Sequence, residues 1–393
     1  MLRVAHIITG LDTGGAETML YTLLTALQQQ AEMLDNEADS FDAPHTPVIH
    51  SHVYSLSTIG PVGERIAALG IAVHELGMKP NMPNPAKVLE LARWLQDGHY
   101  HLVQTWLYHG DLIGGAAAWL AGGIPTAWGI HNTRLDPDTE SRRTILIARI
   151  LARLSRRLPR KIVLAAQAAR AWHGELGYDT GRMVVIPNGF DLTRFQPDPA
   201  ARTAIRAELE IPPDAPVVGM VARFEPVKDH QNFVQAARRL HEQQREACFV
   251  LAGKDVTWDN DALSGWIGGG EFRRKFRLLG LRSDAARLFN AFDVATLSSR
   301  REAFPLTIGE AMACGVPAVV TDVGDAAELV GETGRVVPPG DSEALAQGWS
   351  DLLGMDTAAR RAAGQAARQR IETHYSLDLA VQRYVALWDS IAR

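Results

Sequence analysis

Two glutamates eight residues apart, Glu302 and Glu310, flank the segment Phe304-Pro305-Leu306-Thr307. An apolar run, Val294-Ala295-Thr296-Leu297-Ser298, precedes them and another, Pro317-Ala318-Val319-Val320-Thr321, follows, so the stretch reads as strand, loop, helix and strand. Pro305 suits the first turn of that helix, where a missing N–H costs nothing, and Gly315 with Pro317 ends it. Glu302 then lies in the loop and Glu310 in the second helical turn. The N–H groups of Leu306 and Thr307 and the positive end of the helix dipole face the loop and suit a phosphate. Carboxylates on either side of a bound diphosphate can accept hydrogen bonds from hydroxyls, which is what a nucleotide-sugar needs. The same spacing also fits an ordinary βαβ unit with two solvated glutamates, and spacing alone does not choose between them.

Other residues of suitable chemistry stand at strand ends. Arg223 and Lys228 bracket a loop after the apolar run Val217–Ala222, and two cations there can neutralise a diphosphate; a solvated pair of charges is the bland alternative. His109 follows Trp106-Leu107-Tyr108, and His131 follows Pro125–Ile130, each at the carboxyl end of a strand, where open α/β sheets place ligands. Structural histidines fit those positions as well. Gly14 and Gly15, in the loop Gly10–Glu17 after the first strand, can bring backbone close to a ligand, but their spacing misses the GxGxxG dinucleotide fingerprint. Asp136-Pro137-Asp138 and Asp259-Asn260-Asp261 fit an Asp-x-Asp pattern that arises often by chance, and neither adjoins the diphosphate segment. With Arg223, Lys228 and a helix N-terminus supplying positive charge, no metal and no cofactor are assigned.

These residues need a scaffold of alternating strands and helices. Strands are expected over Val4–Thr9, Val48–Ser55, Ile71–Leu76 and His101–Leu107, with helices between, which are βαβ units of an open parallel sheet. A second series begins at Val217 and continues through Cys248–Ala252, Phe276–Leu279 and Val294–Leu297. Between the series, Gln196–Pro199 and Ile211–Pro216 are rich in proline and read as a linker on either side of a short helix. A chain of 393 residues exceeds what one core usually supports, in keeping with two domains.

A net charge of −5 gives no global call for nucleic acid. The only cysteines, Cys248 and Cys314, lie in apolar segments and read as core fillers of a cytoplasmic protein. The N-terminal apolar run is too short for a signal peptide, and no run approaches the roughly 20 residues of a membrane span, so a soluble protein, at most peripheral at a membrane, is expected. Ala31–Pro47 is polar, acidic and without period, and reads as a mobile surface insert. Arg142–Lys161 holds eight cations and no acid. On a helical wheel Ile147, Ile150, Leu151, Leu154 and Leu158 share one arc, opposite Arg149, Arg153 and Arg156. That helix fits a domain surface or a docking face for anionic lipid.

Glu302 and Glu310 around Phe304-Pro305-Leu306, followed by Ala311-Met312-Ala313-Cys314-Gly315-Val316-Pro317, resemble the donor motif of the GT-B retaining glycosyltransferases, family 4. Gly14-Gly15-Ala16-Glu17, Gly129-Ile130-His131-Asn132-Thr133, Ile186-Pro187-Asn188-Gly189 and the Arg223/Lys228 spacing extend the likeness over most of the chain. The resemblance implies two Rossmann-like domains, at 1–195 for the acceptor and 196–375 for the donor, with parallel sheets facing an interdomain cleft, and a last helix, 376–393, crossing back to the first domain. It implies transfer of a sugar from a UDP- or GDP-sugar to an acceptor hydroxyl, sugar or lipid-linked, in polysaccharide or glycolipid synthesis. Glu302 and His131 would act on the donor sugar and Glu310 would hold the ribose. Arg223, Lys228, Gly15 and the backbone from Phe304 through Pro305, Leu306 and Thr307 would hold the diphosphate, with Gly14 and His109 towards the acceptor. Relatives bind the base near the equivalent of Gly280-Leu281-Arg282, where the match is loose, and many carry Gly where this chain has Asp229, a candidate N-cap. Nucleotide-sugar epimerases of the same fold, and non-catalytic sugar-nucleotide-binding proteins, are the rivals.

Overall fold

The computed structural model describes residues 1–12, 14–36, 47–79, 84–135, 141–243 and 247–393. Two compact units emerge, one made of Met1–Gly189 with Leu377–Arg393 and the other of Phe190–Ser376. Most of the insert expected at Ala31–Pro47, and Asp136-Pro137-Asp138, lie outside the described residues.

The first unit runs β1 (Leu2–Ile8), α1 (Gly15–Asn36), β2 (Ile49–Ser55), α2 (Pro61–Ala67), β3 (Ala72–Glu75), α3 (Pro85–Asp97), β4 (Leu102–Trp106), α4 (Leu107–Leu120), β5 (Thr126–Ile130), α5 (Arg142–Leu154), β6 (Lys161–Leu164), α6 (Gln167–Leu176) and β7 (Met183–Val185). Its strands pair in parallel in the order β3-β2-β1-β4-β5-β6-β7. Alternation along β1 shows why this sheet needs helices on both faces: Val4 and Ile8 pack with one core, Ala5 and Ile7 with the other. Apolar residues of α1, α2 and the C-terminal helix, described below, cover the first face; those of α3 and α4 cover the second. The chain reverses its direction of winding between β1 and β4, and such a switch leaves a crevice at the carboxyl ends of the strands.

The second unit runs α7 (Pro199–Glu208), β8 (Val217–Val221), α8 (His230–Glu242), β9 (Cys248–Ala252), α9 (Asp261–Ile267), α10 (Gly270–Arg274), β10 (Phe276–Leu278), α11 (Ala285–Phe289), β11 (Val294–Leu297), α12 (Leu306–Ala313), β12 (Ala318–Thr321), α13 (Ala326–Val330), β13 (Arg335–Val337), α14 (Ser342–Leu353) and α15 (Thr357–His374). Its parallel sheet has the order β10-β9-β8-β11-β12-β13, with the switch between β8 and β11. The chain enters and leaves this unit side by side, the Phe190 N–H donating to Tyr375 O at 2.9 Å. The last helix, α16 (Leu377–Ala392), packs in the first unit against α1 and β4.

Two expectations need correction. The stretch read as a linker is an integral part of the second unit. Arg206 of α7 is buried, pairs with Asp293 at 2.7 Å and donates to the carbonyls of Pro213, Ala215 and Ala291, while Ile205 and Ile211 enter the core. Its prolines shape turns rather than a tether. The basic helix read over Arg142–Lys161 is also shorter than expected. It stops at Leu154, because Ser155 is buried with its hydroxyl donating to Ala152 O at 2.7 Å and accepting from Asp179 N at 2.9 Å. Pro159 bars its continuation, and Lys161 opens β6 opposite Ala127. Buried Ala148, Leu151 and Ala152 face the sheet, whereas Arg149 and Arg153 are exposed.

Candidate donor site and its counterpart in the first unit

The two central strands of the second unit bring the charged residues together. Lys228 closes a short 3₁₀ turn, Pro226–Lys228, after β8, and Glu302 follows β11, the strand next to it. Lys228 Nζ lies 2.6 Å from Glu302 Oε1, which also accepts from Ser299 Oγ at 2.7 Å. Both charged side chains are mostly buried. A web of bonds fixes the two loops to one another. Ser298 Oγ donates to Lys228 O at 2.9 Å, Arg300 N donates to Val227 O at 2.8 Å, and Arg300 Nε reaches Asp229 Oδ2 at 2.8 Å. Asp229 takes φ +48 and caps α8 by accepting from Asn232 N at 3.3 Å. A left-handed residue is needed there, and Asp tolerates that conformation better than most.

Helix α12 begins at Leu306, with Pro305 as its N-cap rather than inside its first turn. Its first intrahelical donors are Ile308 and Gly309, both to Pro305 O, so the N–H groups of Leu306 and Thr307 are left outside the helical ladder. Glu310 is on the second turn, as expected. Burial pushes its carboxyl up to about 7, against a smaller pull downward from the Arg194 guanidinium. Arg223 stands apart from the Lys228–Glu302 pair. It is exposed, with Nη2 3.3 Å from Glu225 Oε2. The ring of Phe304 is buried between Phe190 and Tyr375, at centroid distances of 5.9 and 5.7 Å, so this residue offers a ligand its backbone only.

In the first unit the loop after β1, His109 and His131 stand at the carboxyl ends of β1, β4 and β5, three neighbouring strands. Gly15 opens α1; a Cβ added there would meet nothing within 4 Å, while at Gly14 it would meet the Glu17 carboxylate. Strand β4 passes into α4 without a loop, at the cost of a left-handed Leu107 with φ +67. For an L-residue that conformation costs roughly 1–2 kcal/mol. It sets half-buried His109 in the first turn of α4, where burial holds its imidazole below the ordinary value. His131 is held by stacking on Trp106, centroids 5.1 Å apart and planes 20° from parallel. Burial lowers its pKa to about 4, so it is neutral at physiological pH.

Several positioning residues escaped the sequence reading. Gly324, with φ +56, lies so close to the Glu302 loop that a Cβ would sit 2.4 Å from Glu302 O and 2.6 Å from Ala303 O. The next residue, Asp325, donates its N–H to Ala303 O at 3.0 Å, and Thr321 Oγ1 donates to Ser299 O at 2.7 Å. A glycine three residues past a strand was the visible signal, but only the fold shows which loop it meets. Arg282, near the expected base site, is engaged by Asp284 at 2.7 Å and Glu208 at 2.6 Å, while Leu281 beside it is 80 % exposed. Asp259-Asn260-Asp261 is a helix start, with Asn260 capping α9 through Leu263 N at 3.1 Å. Among the described residues no group of three or more His, Cys, Asp or Glu is placed to hold a metal, and no helix is long and apolar enough to cross a membrane.

Comparison with known proteins agrees with this geometry. A family described as Glycosyltransferase Family 4 matches residues 13–194, and one described as Glycosyl transferases group 1 matches 215–355. The chain is 26 % identical over 342 residues to a putative glycosyltransferase, EpsF, of Bacillus subtilis, covering 81 % of this chain and 79 % of that protein. It is 27 % identical over 239 residues to the Escherichia coli UDP-Gal:α-D-GlcNAc-diphosphoundecaprenol α-1,3-galactosyltransferase, covering 60 % of this chain and 61 % of that one. Among solved structures, Anabaena HepE in complex with UDP superposes with a TM-score of 0.83 at 21 % identity, over 99 % of this chain and 100 % of that one, a likeness of fold. With both halves matched, and with a donor-type motif at the switch point of a second Rossmann-like unit, the chain belongs to the GT-B glycosyltransferases of the family 4, group 1 type.

Proposed function

We propose that the protein transfers a sugar from a nucleoside-diphosphate donor to an acceptor hydroxyl with retention at the anomeric carbon. The observation that carries this reading is the convergence of Lys228, Glu302 and the α12 N-terminus where β8 and β11 part, with Glu310 one turn further along the same helix. The diphosphate would lie against the Leu306 and Thr307 amides and draw on Lys228 and Arg223, which stabilise it most as it departs and gathers charge. Glu302, paired with Lys228 at 2.6 Å, would accept from sugar hydroxyls, and Glu310 from the ribose.

For the reaction itself, the bond from the anomeric carbon to the diphosphate oxygen breaks, and the bond to the acceptor oxygen forms on the same face. The acceptor proton passes to the departing diphosphate. Neutral His131 would orient the donor sugar without adding charge. The complexes of HepE with UDP and with UDP-glucose support a uridine donor as the first choice. The E. coli relative, named for a diphosphoundecaprenol-linked sugar, supports a lipid-linked saccharide as acceptor.

A thermal-shift series with nucleoside diphosphates and nucleotide-sugars, followed by NMR of the product, tests this reading. A ligand at 100 times its Kd adds about 2.7 kcal/mol to the native state, which is several degrees of melting temperature. One diphosphate, UDP first, is expected to give that shift, and the product to keep the anomeric configuration of its donor. No shift with any nucleotide, or an inverted product, would overturn the proposal.

A further inference from the structure

His131 has no hydrogen bond to its ring among the described residues; what fixes it is the face of Trp106, at 5.1 Å and 20°. The indole of Trp106 is itself fully buried at the end of β4. It also stacks on Tyr384 of α16, with centroids 6.1 Å apart and planes at 29°, and its Nε1 donates to His6 Nδ1 at 3.4 Å. His6 is in turn met edge-on by Trp388 of α16 at 5.4 Å, and Trp388 Nε1 donates to Gln104 Oε1 at 3.0 Å. Tyr384 and Trp388 are fully buried. The C-terminal helix therefore holds the residue on which His131 rests, directly through Tyr384 and by way of His6 through Trp388, two large side chains four positions apart on one helical face.

We propose that α16 sets the orientation of His131 through Trp106, which makes Trp106 and Tyr384 positioning residues for sugar transfer and the last helix a working part of the first unit's site. The proposal rests on the reading of His131 as a group that contacts the donor sugar. Stacking transmits orientation because a fully buried indole stacked on two rings and held at its Nε1 has no alternative rotamer without opening a cavity in a close-packed core. An imidazole lying on that indole keeps its plane, and with it the direction of its two nitrogens. A loss of alignment of about 1 Å at a reacting centre costs up to a hundredfold in rate. Nucleotide binding in the second unit, by contrast, should not respond.

The test is a cycle of variants in the full chain: Trp106→Leu, Trp106→Phe and Tyr384→Leu, each alone and with His131→Ala, beside the NMR shifts of the His131 ring. Trp106→Leu and Tyr384→Leu are expected to lower kcat tenfold or more with little change in affinity for the nucleoside diphosphate. Trp106→Phe, which keeps an aromatic face, should retain kcat within about threefold. In the His131→Ala background the same changes should cost nothing further, because groups acting as a unit are not additive. The His131 ring protons should also move downfield in Trp106→Leu as the indole ring current is lost. Equal losses of kcat with and without His131, or a wild-type kcat in Trp106→Leu and Tyr384→Leu while His131→Ala is impaired, would overturn the proposal. If His131→Ala keeps full kcat, the catalytic reading of His131 fails and the proposed role of Trp106 falls with it, whereas unmoved His131 shifts refute the stacking itself. Should Trp106→Leu not fold, Tyr384→Leu carries the same comparisons.

Discussion

Replacement of Lys228 by Ala is expected to lower kcat/KM for the donor by about 10²–10³, the usual loss when one preorganised group facing developing charge is removed. The size follows from where the ammonium stands. It is mostly buried, 2.6 Å from Glu302, and in the loop that follows β8, one of the two central strands of the second unit. Its removal would take a cation from the departing diphosphate and strip the Glu302 carboxylate of the ammonium it pairs with, while Ser299 Oγ still donates to it at 2.7 Å. Both effects act most strongly in the transition state, so kcat should fall along with kcat/KM. Arg223 is exposed and already beside Glu225, and should cost less when replaced. Steady-state kinetics with circular dichroism as a check on folding decide the matter. A loss below threefold in a folded Lys228→Ala would remove Lys228 from the account.

Proton uptake supplies the second large effect. Burial raises the Glu310 carboxyl to about 7, well above an ordinary glutamate, so the ligand-free protein near neutral pH holds it partly protonated. The sign for folding follows directly. The unfolded chain ionises at the ordinary value and the folded one near 7, so this group's contribution favours folding at low pH and is lost as pH rises between those two values. A ribose hydroxyl donating to Glu310 favours the carboxylate, so binding must expel the proton when pH is below 7. Affinity for a nucleoside diphosphate should therefore climb by up to tenfold per pH unit on approaching 7 and level off above it. The terminal phosphate of the ligand titrates near 6 and adds its own slope. Glu310→Gln separates the two, since only the ligand's slope should survive in it. Identical pH profiles for the wild type and Glu310→Gln would show that this carboxyl does not meet the ligand.

Much of this was legible in the sequence because the signals were local. Continuous apolar runs set between helices announced parallel sheets, and β1, β4, β8 and β11 lie within a few residues of where the runs put them. Glu302 in a loop and Glu310 on the second turn followed from Pro305 and Gly315. What escaped reading depended on contacts between distant segments. Nothing in Arg206 foretells Asp293 as its partner 87 positions on, so a structured segment looked like a linker. Ser155, whose hydroxyl bonds both Ala152 and Asp179, ends a helix whose periodicity promised more. The ring of Phe304 sits in the donor motif yet belongs to the core, a distinction that motif position cannot draw. Trp106 and Tyr384, 278 positions apart in the chain, were each an unremarked aromatic until the fold stacked one on the other.

In the proposed reading Glu310 meets the nucleotide and Glu302 the sugar. Calorimetric affinity for the nucleoside diphosphate, measured on Glu302→Ala and Glu310→Ala, tests it most directly, because the diphosphate product carries the ribose and lacks the transferred sugar. Glu310→Ala should weaken binding by about 1.5–3 kcal/mol, the worth of a hydrogen bond to a charged group. Glu302→Ala frees Lys228 from its ion pair and should leave that affinity unchanged or tighter, with its loss appearing instead in kcat/KM for the full donor. A Glu302→Ala variant, folded, that binds the diphosphate as weakly as Glu310→Ala does would contradict the assignment of both residues.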